Sequence, residues 1–372
     1  MHRLLRTAIL GIALSLCLTS YSTCRASAPD VSAYAYVLME ADSGRILAAH
    51  NELQERSIAS TTKIMTALVA LEHSALSDRV TVKSAHLKEG SSMYLRAGET
   101  LTMEELLYGL LLPSGNDAAE CIADFCGGKE QFVAWMNEKA AQLGMAHTAF
   151  ANPSGLDEQG HYSCARDMAV LAAHAMRQPV FLRLASTKNA SVGSRTMSNH
   201  NKLLNRYDGC IGLKTGYTGE AGRTLVTCVE RDGMRLIAVT LYDGNDWQDH
   251  TALYDYGFSA YRLQTPVRRG TPVASVAVRG GKSVFVQAVA QTDFSWPTAE
   301  DETLTTRVCV KDAVDAPVPI GGVLGEITIY SGETEVGRVA LVADAAVETV
   351  DAAVQLSLTQ RLIRLLQRGA GK

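Results

Sequence analysis

The spacing of apolar residues changes character along the chain. Ala33 to Met39 is an apolar run, followed by the turn Asp42-Ser43-Gly44 and the short run Arg45-Ile46-Leu47, which together predict a β-hairpin over residues 33–50. From Ser60 to His73 the period becomes helical. Residues 103–126 and 129–143 also carry a helical pattern, and an Ala-rich helix is predicted after Asp167. Strand-like runs return at Gly222–Val229 and Arg235–Leu241. Strands on both sides of a helical middle predict a layered α+β domain whose sheet joins distant segments.

The pattern changes again near residue 263. Short alternating runs follow at Val273–Val278, Val284–Val289, Thr303–Val310, Glu326–Tyr330 and Val336–Val342. Gly280-Gly281, Pro317, Pro319 and Gly321-Gly322 punctuate them, which predicts a small all-β domain. That stretch holds no cluster of His, Cys or paired carboxylates, so its predicted role is structural or positional.

The two ends read differently from the middle. Arg3 and Arg6 precede a short apolar run, Ala8–Leu18, and Ala26-Ser27-Ala28 offers small residues for cleavage. Residues 1–28 therefore read as a secretory signal peptide. At the other end Val354, Leu358, Leu362, Leu365 and Leu366 recur at helical spacing beside Arg361, Arg364 and Arg368. This is a basic amphipathic helix, and the pattern serves two placements: lying in a membrane interface, or docked on its own domain.

Composition adds limits. The 372 residues are 47% hydrophobic and 20% charged, enough for large cores and against a disordered or fibrous chain. Removing residues 1–28 removes three arginines and no acid, taking the net charge from −4 to −7. No basic surplus points to nucleic acid. Six of the 8 cysteines remain, with no C-x-x-C and no metal-ligand spacing, so free thiols are the simplest reading and a disulfide stays open.

Three short motifs carry the candidate chemistry. Ser60-Thr61-Thr62-Lys63 places a serine and a lysine one helical turn apart, on one face. A serine hydroxyl needs an adjacent base, and lysine serves as one only when burial or a second cation lowers its pKa. Alone the motif is weak, since a chain this long holds roughly one S-x-x-K by chance. Ser114-Gly115-Asn116 follows Leu110-Leu111-Leu112-Pro113; it could relay a proton and present an amide, or simply cap a helix. Lys214-Thr215-Gly216, before Tyr217, could hold a carboxylate and let a ligand approach the backbone. Chance supplies that tripeptide on the order of once in ten such chains.

The order and spacing of the three matter most: 54 residues from Ser60 to Ser114, then 100 to Lys214. S-x-x-K, a Ser/Asn turn and K-T-G are the signature of penicillin-binding proteins and class A β-lactamases. The chain resembles the secreted D-alanyl-D-alanine carboxypeptidases, the low-molecular-mass penicillin-binding proteins. The resemblance extends through Ser57–Leu68, Asn152-Pro153-Ser154-Gly155-Leu156, His161-Tyr162-Ser163, Asn199–Leu204 and Gly212–Thr218, and covers essentially the whole mature chain. Cys164 stands where Thr is expected, and Tyr217 where many relatives have His.

The resemblance implies an α+β catalytic domain of the β-lactamase/transpeptidase type over 29–262, with an antiparallel sheet and helices. It further implies a small β-rich domain over 263–347 and an amphipathic helix over 348–372 as a membrane anchor. The implied substrate is the peptidoglycan stem peptide, with β-lactams as covalent inhibitors. Ser60 is the implied nucleophile, Lys63 its base and Ser114 a proton relay. Asn116, Lys214, Thr215, Gly216 and Tyr217 are the implied substrate-binding residues, with the backbone N–H groups of Ser60 and Tyr217 forming the oxyanion hole. No metal or organic cofactor is implied, and the expected location is the outer face of the cytoplasmic membrane. Two rivals remain at this point. A class A β-lactamase needs a glutamate on the middle loop, where Glu158-Gln159-Gly160-His161 does not match E-x-x-L-N. A silent wall-binding protein would not need the intact motif set. The sequence has no G-x-S-x-G elbow, H-E-x-x-H, phosphate loop or dinucleotide fingerprint.

Overall fold

The computed structural model describes residues 28–350 and, beyond them, Ile363. The expected signal peptide and most of the expected terminal helix lie outside the described residues.

The chain opens with the hairpin β1 (Ala35–Glu40) and β2 (Ile46–His50). A 3-10 turn over Ala59–Thr62 leads directly into α1 (Lys63–His73). The ribbon β3 (Arg79–Thr81) and β4 (Thr100–Thr102) precedes α2 (Met103–Leu111). The side chain of Thr102 accepts from the Glu105 N–H while Glu105 reaches back to the Thr102 N–H, which starts α2 at that residue. The helical pattern over 103–126 is broken by Leu112-Pro113-Ser114-Gly115, and α3 (Asn116–Phe125) begins after it. Next come α4 (Lys129–Gln142), α5 (Ala165–Met176) and α6 (Pro179–Ser186). A ribbon of β5 (Asn189–Val192) and β6 (Arg195–Ser198) and the single turn α7 (Leu203–Arg206) lead to β7 (Cys210–Thr218), β8 (Gly222–Arg231) and β9 (Met234–Leu241). α8 (Asp246–Ala260) closes this unit.

The main sheet runs β2-β1-β9-β8-β7, so β1 pairs with β9 across about 200 residues of sequence. Pairing in it is antiparallel throughout. Side-chain alternation splits each central strand between two cores. Val37, Met39, Val226, Ile237 and Val239 face the helical middle, where α1, α2, α3 and α5 pack. Tyr36, Leu38, Leu236 and Ala238 face Leu253 and Tyr254 of α8. Burial on both faces explains why β8 and β9 read as nearly continuous apolar runs. Under α8 the sheet is polar in one place: His250 sits between Thr227 Oγ1 (2.6 Å) and Thr240 Oγ1 (3.0 Å).

β10 (Tyr261–Val267) leaves α8 and enters a second unit. It contains β11 (Pro272–Arg279), β12 (Phe285–Ala290), β13 (Phe294–Ala299), β14 (Leu304–Val310), β15 (Ala313–Asp315), β16 (Val323–Ser331) and β17 (Thr334–Ala343). Its sheet runs β14-β16-β17-β12-β11-β15, and β10 pairs with β13. The core is a set of Val, Ala, Leu and Ile side chains separate from the first two. Residues 347–349, at the head of the expected tail, run extended between Val318 and Gly281.

One arginine joins the units. Arg45, in the first hairpin, donates to Pro297 O (2.5 Å) and to both Glu302 carboxylate oxygens (2.5 and 2.6 Å). Its guanidinium also lies 5.3 Å from the Tyr261 ring and 5.6 Å from the Trp296 ring.

Candidate active site

Ser60 lies in the tight turn before α1, and the two carbonyls ahead of it are held by threonines. Ile58 O accepts from Thr61 Oγ1 (2.6 Å) and Thr224 Oγ1 (3.1 Å). Ala59 O accepts from Thr62 Oγ1 (2.8 Å). Ala59 has φ of +47°, a left-handed conformation that L residues avoid. Two glycines make this turn possible. A Cβ on Gly155 would lie 1.9 Å from Ala59 O, and one on Gly216 would lie 3.1 Å from the Ser60 N and 2.3 Å from Thr224 Oγ1.

Lys63 is fully buried. Its Nζ lies 2.8 Å from Ser60 Oγ and donates to Asn116 Oδ1 (2.8 Å) and to the Ser154 carbonyl (2.5 Å). Asn116 donates its own amide to Glu89 O (2.8 Å), which fixes its oxygen toward the lysine. The Lys63 pKa falls well below its ordinary value, first through burial and then through the charge of Lys214. Asp117 and Glu120 oppose that fall. Burial also lowers Lys214, to about 7.

Ser114 occupies the break between α2 and α3 with φ of +65°. Beside it the buried carboxylate of Asp117 accepts from Ser92 Oγ and from the N–H groups of Met93 and Leu95. Those bonds pin residues 91–95 along the mouth of the site, with Asn116 N donating to Ser91 O.

β7 brings the third motif alongside. Lys214 is buried, its Nζ donating to Thr215 O, while Tyr217 is 72% exposed. Ser60, Ser114, Thr215, Gly216 and Tyr217 line one cavity of about 460 Å³. Lys63, Asn116 and Lys214 lie beneath that lining rather than in it. Thus the structure gathers all eight sequence-predicted residues at one place.

It also adds residues that the motifs did not indicate. Arg223 lines the same cavity and donates to both Asp246 oxygens (2.6 and 2.7 Å). It pairs across the sheet with Tyr217, which sets it on the side where Thr215 lies two residues back. The two-residue period would have found it once the register of the β7–β8 pair was known. The Ser154 carbonyl comes from the middle loop and could not be read from side-chain types at all. Cys164 caps α5, its Sγ accepting from the Asp167 N–H at 3.4 Å, so the thiol takes the capping position expected of Thr.

Among the described residues no group of three or more His, Cys, Asp or Glu is arranged to hold a metal ion.

Comparison with known proteins follows the same division of the chain. Residues 22–245 match the D-alanyl-D-alanine carboxypeptidase family, and residues 261–349 match the C-terminal domain of penicillin-binding protein 5. D-alanyl-D-alanine carboxypeptidase DacF of Bacillus subtilis is 34% identical over 352 residues, which is 88% of this chain and 90% of the relative. Penicillin-binding protein 5 from Haemophilus influenzae superposes with a TM-score of 0.75 at 28% identity, covering 86% of this chain and 98% of that one. A peptidoglycan synthesis regulatory factor, PBP3, from Streptococcus pneumoniae gives 0.76 at 26% identity, covering 86% and 100%.

Proposed function

The chain belongs to the D-alanyl-D-alanine carboxypeptidase family of serine peptidases, and from that premise we propose which residue performs each step. The observation that carries the assignment is the environment of Lys63 Nζ. A neutral amine has two N–H donors and one lone pair. The Asn116 and Ser154 oxygens are acceptors only and use both donors. The lone pair is left facing Ser60 Oγ at 2.8 Å, ready to take its proton.

Ser60 then attacks the carbonyl between the two terminal D-alanines of a peptidoglycan stem. The developing oxyanion is met by the backbone N–H groups of Ser60 and Tyr217, each such donor typically worth about 10²–10³ in rate. Ser114 relays to the leaving amine the proton that Lys63 took from Ser60, and Asn116 holds Lys63 from beneath the cavity lining. Thr215 and Arg223 receive the terminal carboxylate, with the charge of Lys214 beneath them, and Gly216 lets the peptide approach the strand. Water releases the shortened stem. β-Lactams enter the same path and stop at the acyl-enzyme.

The β-lactamase alternative fails on the middle loop. Glu158 accepts from Asn152 Nδ2 and lies 3.9 Å from Lys129, away from the cavity lining. We divide the chain into a peptidase domain at 29–262 and a β domain at 263–347. The tail from 348 would hold an exported enzyme on the outer face of the membrane through its apolar stripe. Among the described residues no helix is long and apolar enough to cross a membrane.

Two measurements test this reading. Fluorescent penicillin should label the protein covalently and leave Ser60→Ala unlabelled; a labelled Ser60→Ala protein would remove Ser60 as nucleophile. The enzyme should release D-alanine from diacetylated Lys-D-Ala-D-Ala, whereas a β-lactamase or a silent binder would not.

A further inference from the structure

We propose that His161 is a positioning residue for acylation, fixing the turn that carries Ser60 through a relay across Thr62. The inference rests on Ser60 being the nucleophile. His161 is buried and does not line the cavity, so it cannot touch substrate. Its hydrogen bonds nevertheless run to the residue before Ser60.

The proton positions follow from the partners. Ala151 N–H donates to Nδ1 at 3.1 Å, so Nδ1 carries the lone pair and Nε2 the proton. Nε2–H then donates to Thr62 Oγ1 at 2.7 Å. With its acceptor side occupied, the Thr62 hydroxyl sends its single hydrogen to Ala59 O at 2.8 Å. Each donor in this chain has one acceptor, and the direction is unique. Phe150 packs edge-to-face on the ring at 5.8 Å, and burial lowers the imidazole to about 4, keeping it neutral at working pH.

The relay ends where the backbone is least comfortable. Ala59 is left-handed, and its carbonyl has no room to swing because Gly155 lies against it. That carbonyl belongs to the peptide unit whose N–H is Ser60 N, the proposed oxyanion donor. Turning the unit would move donor and nucleophile together. A misplacement of about 1 Å in such a group can lower a rate by about 10²-fold.

The test uses the full chain and fluorescent penicillin, with acylation followed over a range of concentrations. Thr62→Val keeps the shape of the side chain and removes the relay; Thr62→Ser restores the hydroxyl. His161→Asn can still accept from Ala151 but falls short of Thr62; His161→Gln reaches Thr62. The limiting acylation rate should fall about tenfold or more in Thr62→Val and His161→Asn, with the half-saturating concentration nearly unchanged. Thr62→Ser and His161→Gln should recover to within about threefold of wild type. Wild-type limiting rates in Thr62→Val would overturn the relay, as would equal losses in both members of each pair. If the His161 variants fail to fold, the Thr62 pair decides. Labelling of Ser60→Ala would instead overturn the underlying assignment of the nucleophile, whatever the relay variants do.

Discussion

The peptidase unit and the β unit bury different things. The core of the β unit is Val, Ala, Leu and Ile, and its buried polar residues among those described are Thr298 and Thr328. The peptidase unit buries Lys63, Lys214, Asp117, His161 and His250 within the same few layers. Burying an ionisable group opposes folding unless its charge is lost or matched. The strain has the same address: Ala59 and Ser114, the left-handed residues flanking the candidate site, both lie in the peptidase unit. Among the described residues, buried ionisable groups and left-handed non-glycine residues lie in the peptidase unit, and the β unit has neither.

Acid should break this contrast most strongly. His161 is lowered to about 4 and His250 to about 3, both by burial. Their stabilising effect is complete above the unfolded value near 6.5 and is lost as pH falls toward the folded values, because the unfolded chain takes up those protons first. Shifts of this size correspond together to on the order of 8 kcal/mol, the scale of a whole domain's stability. Hydrogen exchange at decreasing pH should show β7–β9 losing protection by about pH 4 while β16 and β17 keep theirs. Simultaneous loss in both units would erase the distinction.

Lys214→Met should sharpen the contrast next. Burial lowers Lys214 from 10.5 to about 7, so the wild-type chain is least stable at and below neutrality and gains stability as pH rises toward 10.5. The methionine variant should exceed wild type by up to about 5 kcal/mol at pH 7, with the gap closing by pH 10. Urea melts at the two pH values measure it, and turnover should be lost at both. A variant less stable than wild type at pH 7 would show that the lysine stabilises the fold.

Gly155→Ala comes third. Its φ is +83° and the added carbon would meet Ala59 O, so about 3 kcal/mol and most of the acylation rate should go. In the β unit Gly332 has a similar φ of +60° and open space around it; Gly332→Ala should cost about 1 kcal/mol and leave acylation unchanged. Equal effects on melting and labelling would remove the difference between the two sites. The smallest change is Cys164→Thr. A hydroxyl is the better acceptor for the Asp167 N–H, and the melting temperature should rise by an amount equivalent to about 0.5–1 kcal/mol.

What could be read from the sequence follows the same line. The first hairpin, α1, β8, β9 and five strands of the second unit carry apolar residues at the spacing of their secondary structure. α8 does not announce itself, because its buried face includes Asp246, Asp249 and His250, which look like surface residues in a string of letters. β10 and β13 contain Pro266 and Pro297, residues that weaken a strand pattern; Pro297 pairs with Leu263, while Pro266 falls at the register shift between Gln264 and Val267. At the candidate site, the motif side chains were legible because the chemistry proposed for them calls for those residue types at that spacing. The Ser154 carbonyl and Arg223 were not, since one is backbone and the other depends on a strand register set by tertiary packing.

The seating of Arg45 has a mechanical meaning. Its bidentate pair with Glu302, its bond to Pro297 O and the two rings around it make a bracket rather than a hinge. A loosely hung catalytic head would sweep a shell of space and meet substrate by diffusion. A bracketed one stands at a set bearing to the strands of the β unit, with Arg45 of the first hairpin held against β13 and the turn that follows it. Whatever holds the β unit therefore also orients the cleft, and the direction in which the peptidase unit faces is carried by one ion pair and two aromatic rings.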